Sequence, residues 1–199
     1  MYENEIRRYR TLNELAEPDG LVIFGGTADR GIPLCELKQA FALDSRLYNR
    51  SLTGLSVKDA ADCFDACVRP LQPESVLLHL GEADLALFAE DPSAFGRNYR
   101  KLIGHIRSGN KSCRIAVISQ RNPDGHAVTA EMNRHLKYIA DSERCEYGDI
   151  TTKRVWNPKE TKDIVSFVYS TGFVHSLKNK RPLYDLVKIL FCFEPSYAV

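Results

Sequence analysis

The sequence predicts a three-layer α/β/α sandwich built on about five parallel strands. Three observations carry that expectation. Short apolar runs alternate with amphipathic segments along most of the chain. The run Val22-Ile23-Phe24 ends abruptly in Gly25-Gly26-Thr27, the way a buried parallel strand hands over to a helix. Ser75-Val76-Leu77-Leu78-His79-Leu80-Gly81 is apolar on both faces, as a central parallel strand must be.

Taken in order, Glu3 to Ala16 carries Ile6, Tyr9, Leu12 and Leu15 at near-helical spacing and stops at Pro18-Asp19-Gly20. Leu21 to Gly25 is the first strand. Leu34, Leu37 and Phe41 mark the helix after it, and Arg46 to Asn49 a short second strand that turns at Leu52-Thr53-Gly54. Ser56 reads as an N-cap with Asp59 in a capping-box position, and Ala60, Cys63, Phe64, Cys67 and Val68 form a buried stripe that Pro70 ends. Asp91 to Ser108 places Phe95, Tyr99, Leu102, Ile103 and Ile106 on one helical face, closed by Gly109-Asn110. A strand over Arg114 to Ser119, a helix on Val128, Met132, Leu136 and Ile139, and a last strand over Glu146 to Ile150 complete the alternation. Parallel strands joined by crossover helices lead to a flavodoxin-like strand order.

Residues 1–199 read as a single domain: a leading helix within 1–19, an irregular connection over 151–181, and a terminal helix within 182–193 on Leu183, Leu186, Val187, Leu190 and Phe191. The length of that connection points to a functional or lid-like segment. Its only tryptophan, Trp156, either anchors it to the sheet or lines a pocket or partner surface.

Composition narrows the function classes. With 27 Lys and Arg against 26 Asp and Glu, the net charge of +1 gives no bulk field for nucleic acid or an anionic membrane. Hydrophobic residues at 44% without a long apolar run indicate a globular domain rather than a membrane span. A polar N-terminus and six scattered cysteines without a Cys-x-x-Cys pair lead to a cytoplasmic expectation. Five histidines stand at no metal-ligand spacing, so neither a metal nor a cofactor is expected. Gly25-Gly26-Thr27 lacks the partners of a phosphate loop or dinucleotide fingerprint, and nucleotide binding is disfavoured.

Three blocks at strand ends resemble the SGNH (GDSL) hydrolase superfamily of small serine esterases and acyl hydrolases. Gly25-Gly26-Thr27 with Gly31 is similar to its Gly-Asp-Ser-x-x-x-Gly; Gly54 after Asn49-Arg50 stands at the place of its oxyanion-hole glycine. Gly81-Glu82-Ala83-Asp84 is similar to its Gly-x-Asn-Asp. The resemblance runs from residue 21 to about 193 and implies a flavodoxin-like hydrolase fold. It puts Thr27 in the place of the nucleophile, the amides of Thr27 and Gly54 as oxyanion donors, and Gly26, Glu82 and Ala83 beside the substrate, a small ester or acyl ligand. Gly26 replaces the aspartate before the nucleophile and Ala83 replaces the oxyanion asparagine. The Asp-x-x-His block before the last helix is broken: a gapless match aligns Thr171 and Val174, and a one-residue shift recovers His175 without an acid. His175 is then either the base of a dyad with Thr27 or a histidine in a turn. These departures imply weak or no conventional esterase activity, with a non-catalytic binding module on the same fold as the alternative.

Among the remaining candidates, Asp29 reads as a cap on the amides after Thr27, His79 as a satisfied core histidine, and Asp84 and Asp149 as loop organisers.

Overall fold

In the computed structural model the described residues are 2–40, 43–122, 124–151 and 183–191. His175, Trp156 and the whole 152–182 connection lie outside them, as does Cys192. The described elements are α1 (Glu3–Glu14), β1 (Leu21–Gly25), a 3₁₀ turn (Thr27–Asp29), α2 (Leu34–Ala40), β2 (Leu47–Asn49) and α3 (Ala60–Cys67). They continue with β3 (Ser75–His79), α4 (Leu85–Glu90), α5 (Pro92–Gly109), β4 (Arg114–Ile118), α6 (Ala127–Ser142), β5 (Glu146–Gly148) and α7 (Leu183–Phe191).

All strand pairings are parallel and the order is β2-β1-β3-β4-β5, the flavodoxin-like arrangement read from the sequence. The pleat divides the strand residues between two apolar layers. Val22, Phe24, Val76, Leu78, Ile115 and Val117 face α3, α5 and α6, where Phe64, Tyr99, Ile103 and Leu136 complete the larger core. Ile23, Leu77, Ala116 and Ile118 face the opposite way, onto Leu37 of α2 and Leu186, Val187, Leu190 and Phe191 of α7. Burial on both faces is why β1 and β3 read as unbroken apolar runs.

Local chemistry sets the helix boundaries. Asp91 caps α5 by accepting from the Ala94 amide at 2.8 Å, with Pro92 in the first turn. The Asp59 amide donates to Ser56 Oγ at 3.3 Å and Ser56 Oγ donates back to Asp59 Oδ2 at 3.0 Å, so the expected capping pair forms although the helix proper starts at Ala60. Two elements differ from expectation. Pro70 does not simply end α3 but sits inside a 3₁₀ turn, Arg69–Leu71, and α4 is an additional short helix whose one buried side chain is Phe88.

Candidate functional site

The carboxyl ends of β1, β2 and β3 converge on one edge of the sheet, where ligands bind in open α/β folds. Register fixes the meeting: Gly25 pairs with His79 and Ile23 with Asn49, so the residues following all three strands approach one another. The chain leaves β1 through buried Gly26 into the 3₁₀ turn that starts at Thr27, whose side chain is exposed.

The structure brings Thr27 and Gly54 together. The Gly54 amide donates to Thr27 Oγ1 at 3.0 Å. Gly54 has φ +64, in the left-handed region that favours glycine. The loop carrying it is held by α1 and the residue before it: Tyr2 donates its hydroxyl to the Gly54 carbonyl at 3.1 Å, Tyr9 to the Ser51 carbonyl at 2.6 Å. Glu5 accepts from the Thr53 amide at 3.2 Å and from the Thr53 hydroxyl at 2.9 Å, and pairs with Arg30 Nε at 3.1 Å. The leading helix therefore braces the second block, a role its periodicity does not disclose.

The third block forms its own 3₁₀ turn, Glu82–Asp84. Glu82 and Ala83 are exposed, and the Glu82 carboxylate comes within 3.4 Å of the point where a side chain on Gly26 would begin. Asp84 turns inward, 3% exposed, and accepts from the Val57 amide with both oxygens at 3.2 and 3.0 Å. It thus ties the third block to the loop after Gly54, the organising role expected for it. Burial raises its carboxyl to about 6 even with the Val57 amide opposing the shift, and the nearby Asp59 charge adds to it. Asp149 likewise organises its loop, accepting from the Thr151 amide at 2.9 Å and hydroxyl at 2.6 Å.

Two expectations need correction. Asp29 does not cap the turn: its side chain runs under Gly25 to His79, whose Nδ1–H donates to Asp29 Oδ1 at 2.7 Å. Both are buried, 2% and 7% exposed. Nor is His79 a fully satisfied core histidine, since its Nε2 and the second oxygen of Asp29 have no hydrogen-bond partner among the described residues. The Asp29 carbonyl accepts from Asn49 Nδ2 at 2.7 Å, and Asn49 Oδ1 accepts from the Ser51 amide at 3.0 Å, linking the first block to the second.

No histidine or carboxylate among the described residues hydrogen-bonds the Thr27 hydroxyl, and His175 lies outside them. Those residues contain no group of three or more His, Cys, Asp or Glu side chains placed to hold a metal ion, and no helix long and apolar enough to cross a membrane.

The architecture is that of solved SGNH and GDSL hydrolases. A Streptococcus pneumonia protein provisionally described as a platelet activating factor superimposes with a TM-score of 0.63 at 18% identity, over 77% of this chain and 78% of that one. A GDSL-like lipase from Bacteroides thetaiotaomicron gives 0.60 at 16% identity, over 86% of this chain and 98% of the lipase. The SGNH-hydrolase family esterase AlinE4 gives 0.51 at 14% identity, over 83% and 99%. No protein-family model and no curated protein sequence matches the chain. At these identities the likeness establishes the fold: an SGNH-hydrolase-type α/β sandwich.

Proposed function

We propose that this chain is an SGNH-hydrolase-like protein whose cleft takes a small ester or acyl ligand and turns it over weakly or not at all. The observation that carries this reading is the hydrogen bond from the Gly54 amide to Thr27 Oγ1. In an acyl hydrolase that amide is needed for the developing oxyanion, and here it is engaged by the hydroxyl meant to attack. Threonine's extra methyl further restricts the rotamer and crowds the approach to a carbonyl. Ala83 supplies no side-chain donor in place of the resemblance's asparagine, a loss typically worth roughly two to three powers of ten in rate. If turnover does occur, Thr27 attacks, His175 is the base and the Thr27 and Gly54 amides hold the oxyanion. We further place the protein in the cytoplasm; the free cysteines Cys35, Cys63, Cys67, Cys113 and Cys145 support that setting.

A second reading, a non-catalytic binding module, is favoured by the exposed Glu82 carboxylate beside Gly26, since a negative charge there opposes an oxyanion. Short-chain aryl ester hydrolysis and fluorophosphonate labelling of the full chain test both. Little turnover and little labelling are expected. Robust activity abolished by Thr27→Ala would overturn the weak-hydrolase reading and the binding-module reading together.

A further inference from the structure

We propose that Gly25, Asp29 and His79 form a buried positioning unit at the carboxyl ends of β1 and β3, which holds the Thr27 hydroxyl and the Gly54 amide in contact. Asp29 lies two residues past Thr27 in the same 3₁₀ turn, so the direction of its side chain fixes the orientation of the turn. That side chain is directed inward, to a histidine on the central strand, rather than out to solvent.

The arrangement is built rather than incidental. A Cβ on Gly25 would overlap Asp29 Oδ2 and would lie 2.9 Å from the His79 carbonyl; the glycine makes room for a carboxylate. A buried carboxylate with a single side-chain partner is costly, and an apolar residue at 29 would suit the layer formed by α2 and α7 better. The His79 ring meets Phe191 of α7 edge-on, with centroids 5.3 Å apart, which fixes the imidazole plane. The tether runs on from the Asp29 carbonyl to Asn49 and from Asn49 to the Ser51 amide, three residues before Gly54. Breaking the His79 to Asp29 bond releases the turn at its buried end while the strands stay paired through their backbones.

This rests on the proposed reading of the cleft only in taking the Thr27–Gly54 contact as its working part. The test uses no ester, so either idea can fail alone. In the full chain, solvent exchange of the Gly54 amide is followed by NMR, with the Ser119 amide, bonded to the Gly148 carbonyl at 2.9 Å, as the reference for global stability. His79→Phe keeps a ring but removes the donor, and is expected to speed Gly54 exchange by about fivefold relative to Ser119. His79→Asn returns an N–H to the Nδ1 position and is expected to restore the exchange to within about twofold of the starting protein. Unchanged Gly54 exchange in His79→Phe, or a change matched by Ser119, overturns the proposal. Where His79→Phe does not fold, the unsubstituted protein decides. Its His79 Nδ1 proton must exchange far more slowly than the ring protons of exposed His126, and equal rates overturn the proposal.

Discussion

Thr27 and Gly54, 27 residues apart, are joined by one hydrogen bond in which the amide donates to Oγ1 at 3.0 Å. The bond ties the exposed Thr27 side chain, at the end of β1, to the loop that follows β2. The threonine methyl reinforces this by limiting χ1.

Thr27→Ser removes the methyl and frees the hydroxyl to leave the Gly54 amide. Fluorophosphonate labelling of the serine variant is expected to run about tenfold faster than that of the unsubstituted chain, a difference of about 1.4 kcal/mol in barrier. Time-resolved labelling with peptide mapping at position 27 checks it. Equal rates would mean that the methyl and the rotamer are not what restrains this group.

Asp84 gives a pH dependence whose sign follows from burial. Its carboxyl is raised from 3.8 to about 6 in the fold, first by desolvation and then by Asp59, with the Val57 amide opposing. The folded state therefore binds the proton more tightly than the unfolded chain. The stability this contributes is complete below about pH 4 and is lost as pH rises through about 6. The Asp84→Asn variant should gain stability, read as melting temperature, relative to the unsubstituted protein as pH goes from 5 to 7, by at most about 1.4 kcal/mol. Parallel melting curves at the two pH values would contradict the assignment.

Most of the fold was legible because its signals are local. β1 and β3 are buried on both faces and read as apolar runs; α5 and α6 carry buried residues every three or four positions. The six residues of α4 are too few to show a period, and Phe88 is its single buried side chain. At the site, the resemblance grouped Thr27 and Gly54 as donors to one oxyanion, and the parallel pairing of β1 with β2 brings the two residues together. The Asp29–His79 pair was hidden: the partners are 50 residues apart, and only the parallel register of Gly25 with His79 brings them together. Read one residue at a time, an aspartate in a turn looks like a cap and a histidine in an apolar strand looks like packing. Gly25 is the one trace the pair leaves in the sequence, and it gains that meaning only from the register that sets it opposite His79.

Cysteine chemistry separates the two environments of the thiols. Burial raises Cys63 to about 12 and Cys67, Cys113 and Cys145 to about 11, so these four are almost entirely unionised near neutrality. Cys35 is exposed. Brief iodoacetamide treatment at pH 7.5, read by peptide mapping, should modify Cys35 at least about tenfold faster than any of the four. Comparable labelling of Cys63 or Cys67 would show that α3 opens to solvent readily.

Gly25 and Gly31 both belong to the first block, and their surroundings predict opposite outcomes for the same substitution. An alanine Cβ at 31 meets nothing within 4 Å, whereas at 25 it collides with the Asp29 carboxylate and lies 2.9 Å from the His79 carbonyl. Gly31→Ala should change stability by no more than about 0.5 kcal/mol, as at an open surface position. Gly25→Ala should destabilise by about 2 kcal/mol, because the carboxylate must leave its place on His79 or the strands must part. Since the clash is with a side chain as well as with backbone, removing that side chain should relieve part of it. Gly25→Ala combined with Asp29→Ala is expected to fall short of the sum of the single effects by at least about 1 kcal/mol. Urea unfolding of the four variants measures all of this. Strict additivity between 25 and 29 would mean that the glycine answers to the backbone of β3 alone, and that the carboxylate beneath it is incidental to the turn that carries Thr27.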